Sequence, residues 1–93
     1  MKPALLRNKC VLVEDNVIYD SKSLQIIGVD DSSLTIITSD NLSQVPAEAH
    51  ESLLECIGNL VFLAFDRGDG QMLLDATKMC DEAFEMIVQH IEN

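Results

Sequence analysis

At 93 residues, with 47% hydrophobic and 24% charged side chains, four glycines and two prolines, the chain is expected to form a single globular domain spanning 1–93. Six basic against sixteen acidic residues give a net charge of −10, and three of the six, Lys2, Arg7 and Lys9, fall within the first nine positions. So acidic a chain repels phosphate, which argues against direct nucleic-acid binding by counterion release and against docking on anionic membranes.

The opening Met1-Lys-Pro-Ala-Leu-Leu-Arg-Asn-Lys9 has a core of only two leucines before charge returns, far short of a secretory signal, and no run approaches a membrane span. From Cys10 to Thr38 the apolar residues come in short bursts rich in β-branched side chains: Cys10–Val13, Val17–Tyr19, Leu24–Val29 and Leu34–Thr38. This pattern predicts a short antiparallel β-meander over about residues 10–38, an α+β chain in which strands precede helices. Glu14-Asp15-Asn16 is the turn between the first two bursts and Asp30-Asp31-Ser32-Ser33 the turn between the last two, because Asn and Asp tolerate left-handed backbone. The segment Asp20–Ser23 is compatible with a short helical turn capped by Ser21 or Ser23.

Beyond Pro46 the period becomes helical. Proline in a first turn followed by Glu48 and Glu51 suits a helix start, and Gly68-Asp69 supplies first a left-handed C-terminal residue and then an N-cap. Helices over about 46–66 and 70–91 with so short a connection form an antiparallel hairpin. Helical projection gives the first an apolar arc of Leu53, Leu54, Cys56, Ile57, Leu60, Val61, Leu63, Ala64 and Phe65. The second has a matching arc from Met72 to Ile91. Each arc is wider than one neighbouring helix covers, so the hairpin is expected to self-associate, most simply as a homodimer, with Val61, Phe65, Phe84 and Val88 at the contact.

No pattern in the chain prescribes a reaction. His50 and His90 fall toward the same end of the hairpin but lack the close ligand spacings of a zinc site, so no metal, cofactor or catalytic residue is expected. Asp66–Gly70 lacks the alternating acids of a calcium loop, and no serine stands in a nucleophile elbow. Cys10, Cys56 and Cys80, odd in number and widely spaced, read as free thiols, with Cys56 and Cys80 on the buried arcs, and point to a cytoplasmic protein. Two apolar residues break the polar faces: Phe62 among Glu51, Glu55 and Asp66, and Leu74 beside Asp81 and Glu85. With Gly58, beside which another chain can approach the backbone, they form a candidate partner-binding patch of apolar anchors and acidic rim, suited to a basic protein.

The run Leu34-Thr-Ile-Ile37, then Val45-Pro-Ala-Glu-Ala49, Leu53-Leu-Glu-Cys56 and Ala83-Phe-Glu-Met-Ile-Val88 resembles a group of small pseudomonad proteins of unknown function. Those proteins end in a strand-like segment and two helices. The resemblance covers the C-terminal half, implies a bacterial or phage origin and the helical hairpin, and brings no catalytic residues. The sequence thus reads as a small acidic, non-enzymatic protein-interaction module, a regulator, adaptor or inhibitor. One alternative is a nucleic-acid mimic, in which Glu48, Glu51 and Glu55 stand at about the spacing of phosphates along a helix. Another is a binder resembling a secretion chaperone.

Overall fold

A computed structural model describes residues 1–29 and 33–92. Five strands, β1 (Lys2–Leu6), β2 (Lys9–Glu14), β3 (Val17–Tyr19), β4 (Ile26–Val29) and β5 (Leu34–Ile36), precede two helices, α1 (His50–Arg67) and α2 (Gly70–Glu92). The strands form one antiparallel sheet in the order β4-β3-β2-β1-β5. The α+β fold, with strands first and a helical hairpin second, is the one expected from the sequence.

Two features of the sheet differ from that expectation. The N-terminal segment is a strand: Lys2–Leu6 pairs along its length with β2, and the two-residue connection Arg7-Asn8 turns with Arg7 at φ 58°. The strand was hidden because Pro3 and flanking cations give it no β-branched signature. The last two strands do not form a hairpin, since β5 lies beside β1 at the opposite edge from β4. The turn expected over Asp30–Ser33 lies, apart from Ser33, outside the described residues. The Asp15-Asn16 turn is as expected, with both residues at positive φ (52° and 66°), the geometry a two-residue hairpin needs.

The strand order forces the sheet to curl. Val29 stands in register with Val17 and Glu14, whereas Leu34 stands in register with Leu6 and Lys9 at the other end of β2. Four strand spacings and five residues of offset put them about 25 Å apart in a flat sheet. The five peptide units joining them reach about 18 Å at most. Curling gives the sheet an inner face, where Ala4, Val11 and Ile18 are buried with Leu6, Val13 and Leu34 against them. The outer face presents Leu5, Cys10, Leu12 and Tyr19 to the helices, and there Cys10 and Leu12 join Leu53, Cys56, Ile57 and Leu60 in the main core.

Helix α1 is the element that touches the sheet. The Cys10 N–H donates to Ser52 Oγ at 2.8 Å and the Cys56 thiol to the Val11 carbonyl at 3.5 Å, so two polar bonds fix α1 on β2 amid the apolar contact. A 3-10 turn, Ala47–Ala49, leads from Pro46 into α1, which therefore starts four residues later than its sequence pattern suggests. Gly68 (φ 66°) closes α1 in the left-handed conformation and Asp69 Oδ1 accepts from the Met72 N–H, opening α2, both in the predicted roles. The two helices pack antiparallel through small residues, Ala64 on α1 and Ala76 and Ala83, one heptad apart, on α2. Between β4 and its approach, Asp20 Oδ2 accepts from both the N–H and the hydroxyl of Ser23; aspartate, rather than Ser21 or Ser23, is the cap.

Three expected outcomes follow. Leu53→Ala removes a fully buried side chain at the junction of sheet and hairpin and should lower unfolding free energy by about 2–5 kcal/mol in denaturant titration. Cys10 and Cys56 are buried, and hydrogen bonding to Cys56 together with burial pushes the Cys10 thiol far above its ordinary range. Cys80 is half-buried, not buried as its arc position implied. A thiol probe should therefore modify Cys80 in the native protein, and Cys10 and Cys56 only on unfolding.

The third outcome concerns acid. The Arg67 hydrogen bond, aided by the N-terminal ammonium, holds Glu14 below the usual carboxylate range, and the Ser23 bonds do so for Asp20. Folded values below unfolded ones mean that both groups stabilise the fold above about pH 4, and that this contribution fades as pH falls through the folded values. The double variant Glu14→Gln, Asp20→Asn should lose less melting temperature between pH 6 and pH 3 than the parent.

Candidate functional site

The faces of the hairpin follow from what each turn of helix touches. On α1, Ser52 and Cys56 reach β2, while Leu54, Gly58, Phe62 and Phe65 project from the opposite side. On α2, Met72 and Met79 pack toward the core and Glu82 accepts from Ser39 Oγ at 3.2 Å, whereas Leu73, Phe84, Val88 and Ile91 project the other way. In an antiparallel pair these two outward stripes lie on one side, the side of the hairpin away from the sheet. All three phenylalanines of the chain, Phe62, Phe65 and Phe84, stand on it and are 61–74% exposed.

This arrangement shows how much of the apolar arcs one chain covers. Phe65 and Phe84 fall within them and were expected at a contact between copies; on the single chain both are exposed, because the curled sheet covers one side of α1 and nothing among the described residues covers the other. Val61 and Val88 are half-buried at the base of the same surface. Gly58 is half-buried between Leu54 and Phe62 on the helical projection, and a Cβ there would meet nothing within 4 Å. Leu74 is exposed at the outer margin of α2. The residues assigned separately to partner binding and to self-association thus lie on one face.

The rim of that face is of one sign. Glu51, Glu55 and Asp66 on α1 and Asp81, Glu85 and Glu92 on α2 are exposed around the phenylalanines. The cations of the hairpin lie elsewhere: Arg67 is paired with Glu14 at 3.1 Å, and Lys78 lines the groove on the other side of α2. Glu48 sits in the 3-10 turn before α1, so the regular ladder of three glutamates along one helix is reduced to Glu51 and Glu55.

Two further features lie outside the residues singled out by sequence. A groove of about 520 Å³ runs between the ends of β1 and β5 and the first half of α2, with Ile37, Leu60, Met72 and Met79 in its lining and Lys2 and Asp75 among its charged residues. It depends on the β1–β5 pairing, which no local pattern announces. The second is strand β4, whose Ile26, Ile27 and Val29 are 52–72% exposed. Its β-branched pattern was legible; its position at the sheet edge was not.

His50 and His90 meet as expected from the hairpin, with ring centroids 5.2 Å apart at an interplanar angle of 88°, and His50 Nε2 lies 3.3 Å from the Val45 carbonyl. The pair closes the open end of the hairpin by edge-to-face contact. Among the described residues, no group of three or more His, Cys, Asp or Glu side chains is disposed to hold a metal ion, and no helix is long and apolar enough to cross a membrane. Comparison with known proteins gives no matching family model, no matching curated protein and no matching solved structure.

Proposed function

We propose that the protein is a non-enzymatic interaction module that binds another protein through the face of its helical hairpin turned away from the sheet. The observation that carries this reading is the exposure of every phenylalanine in the chain on that one face. Single apolar residues on a surface are ordinary, but three exposed aromatic rings joined by Leu74 and Ile91 form the sort of patch that marks a docking surface. The shallow trough between two antiparallel helices accepts a third helix laid along it, with phenylalanines as anchors on either side. Six surrounding carboxylates with no neighbouring cation select a partner whose apolar ridge is flanked by lysine or arginine, and speed its approach.

The same charge pattern sets a foreign partner above a second copy on this face, since a copy would bring its own six carboxylates against these. It also weighs against nucleic-acid mimicry. A phosphate-like array has carboxylates outermost, whereas here the aromatic rings stand among them and Glu48 is off the helix.

The test is affinity capture from the source cell with the parent and with Phe62→Ala, followed by titration of the captured partner. Phe62 is 74% exposed, so its truncation should leave the melting temperature unchanged while weakening partner binding at least tenfold, as expected for a hot-spot aromatic. Glu55→Lys should slow association and flatten its salt dependence. Gly58→Ala should raise helix stability by about 0.5–1 kcal/mol while weakening the partner, because the added methyl stands where the docking helix comes closest. A partner bound equally by the parent, Phe62→Ala and Phe84→Ala refutes the reading, and a captured set of DNA-binding proteins insensitive to these changes favours mimicry instead.

A further inference from the structure

The two edges of the sheet are treated differently. At β5, the Ile37 N–H is turned inward to the Pro3 carbonyl at 3.0 Å, so the Ile36 carbonyl and the Thr38 N–H face outward. The Asn41 side chain satisfies both: its Nδ2 donates to the Ile36 carbonyl and its Oδ1 accepts from the Thr38 N–H, each at 2.8 Å. One carboxamide thereby caps the outward groups at the C-terminal end of that edge. At β4, no side chain among the described residues bonds to the backbone of Ile26–Val29. The strand is neither charged nor proline-bearing; its one edge protection is the register shift that leaves Ile27 unpaired between Ile26 and Gly28, and it exposes Ile26, Ile27 and Val29.

We propose that β4 is a second interaction surface, separate from the phenylalanine face, and that its occupant is the β4 strand of a second copy, paired antiparallel about a two-fold axis. Two observations choose that occupant. The first is charge: a second copy of a chain carrying −10 meets six carboxylates around the hairpin face, but Gln25–Val29 holds no charged residue and is followed in sequence by two, Asp30 and Asp31, so β4 is the apolar exposure that a like-charged copy approaches at the smaller electrostatic cost. The second is order. A flexible peptide gains only about four backbone positions here and must be immobilised at about 1–2 kcal/mol per residue. The β4 of a second copy is already held extended by its own β3, and it brings Ile26, Ile27 and Val29 to pack against their counterparts. The contact is isologous and leaves both phenylalanine faces free, so the dimer presents two docking surfaces.

The seam is short, which places it among weak, reversible interfaces. Sedimentation velocity from micromolar to near-millimolar concentration at physiological salt should show a monomer–dimer equilibrium. Ile27→Lys and Ile27→Glu, at a half-exposed position, should each weaken dimerisation at least tenfold, and an equimolar mixture of the two should recover it as a heterodimer. Circular dichroism checks that each variant is folded; should either fail, Val29→Lys with Val29→Glu repeats the experiment at a more exposed site. A parent that is monomeric throughout overturns the proposal. So does a dimer that survives the β4 variants and is lost on Phe65→Glu, which assigns self-association to the hairpin. Binding of a partner at the phenylalanine face, measured on the Ile27→Lys monomer, is expected to be unchanged, so the failure of one proposal is distinguishable from that of the other.

Discussion

The contact between β2 and α1 is the constraint on which the rest of the molecule depends. Strand β2 lies at the centre of the sheet and is buried on both sides: Val11 faces the inside of the curl, while Cys10 and Leu12 face α1. The hydrogen bonds from Cys10 and Cys56 set the height and rotation of the helix on that strand. Once α1 is fixed, its sheet-distal side is fixed also. Helix α2 rests mainly on α1, so the direction in which the phenylalanines point is decided at a seam of a few buried residues on the other side of the helix.

Local chemistry made the helical half legible. Gly68 and Asp69 announce the end of one helix and the start of the next, and the structure uses them as a left-handed C-cap and an N-cap. Pro46 marks the approach to α1, although the chain first makes a 3-10 turn through Ala49. The sheet was only partly legible because its first strand carries Pro3 and cations in place of a β-branched run, and because the β5–β1 pairing joins segments far apart in sequence. Neither the pairing of Lys2–Leu6 with β2 nor the return of β5 to β1 leaves a periodic signal. The candidate site was half legible. Phe62 stood out by interrupting a polar face, whereas Phe65 and Phe84 matched the helical period and were assigned to a contact between copies; that all three share one exposed face follows only from which side of α1 the sheet covers.

The molecule separates its apolar exposures by electrostatics. The hairpin face is ringed with carboxylates and β4 is neutral, while Arg67 and the N-terminal ammonium are tied to Glu14 and Lys9 to Asp20 at 3.5 Å. A chain with so few basic residues thereby keeps its compact state tied at the sheet ends and leaves the hairpin face uncompensated. The imbalance is local as well as global, and a field of one sign over one face discriminates among partners without a pocket to shape them.

The carboxamide of Asn41 has a consequence for growth. A sheet extends without limit only when each added molecule exposes a fresh edge to receive the next. With Asn41 on the Ile36 carbonyl and the Thr38 N–H, the β5 margin offers an incoming strand only the outward groups of Leu34 and the Ile36 N–H, too few for a continuous ladder. Fibril formation, the ordinary hazard of an apolar edge strand in a small protein, is hindered at the far side of the sheet by one short side chain.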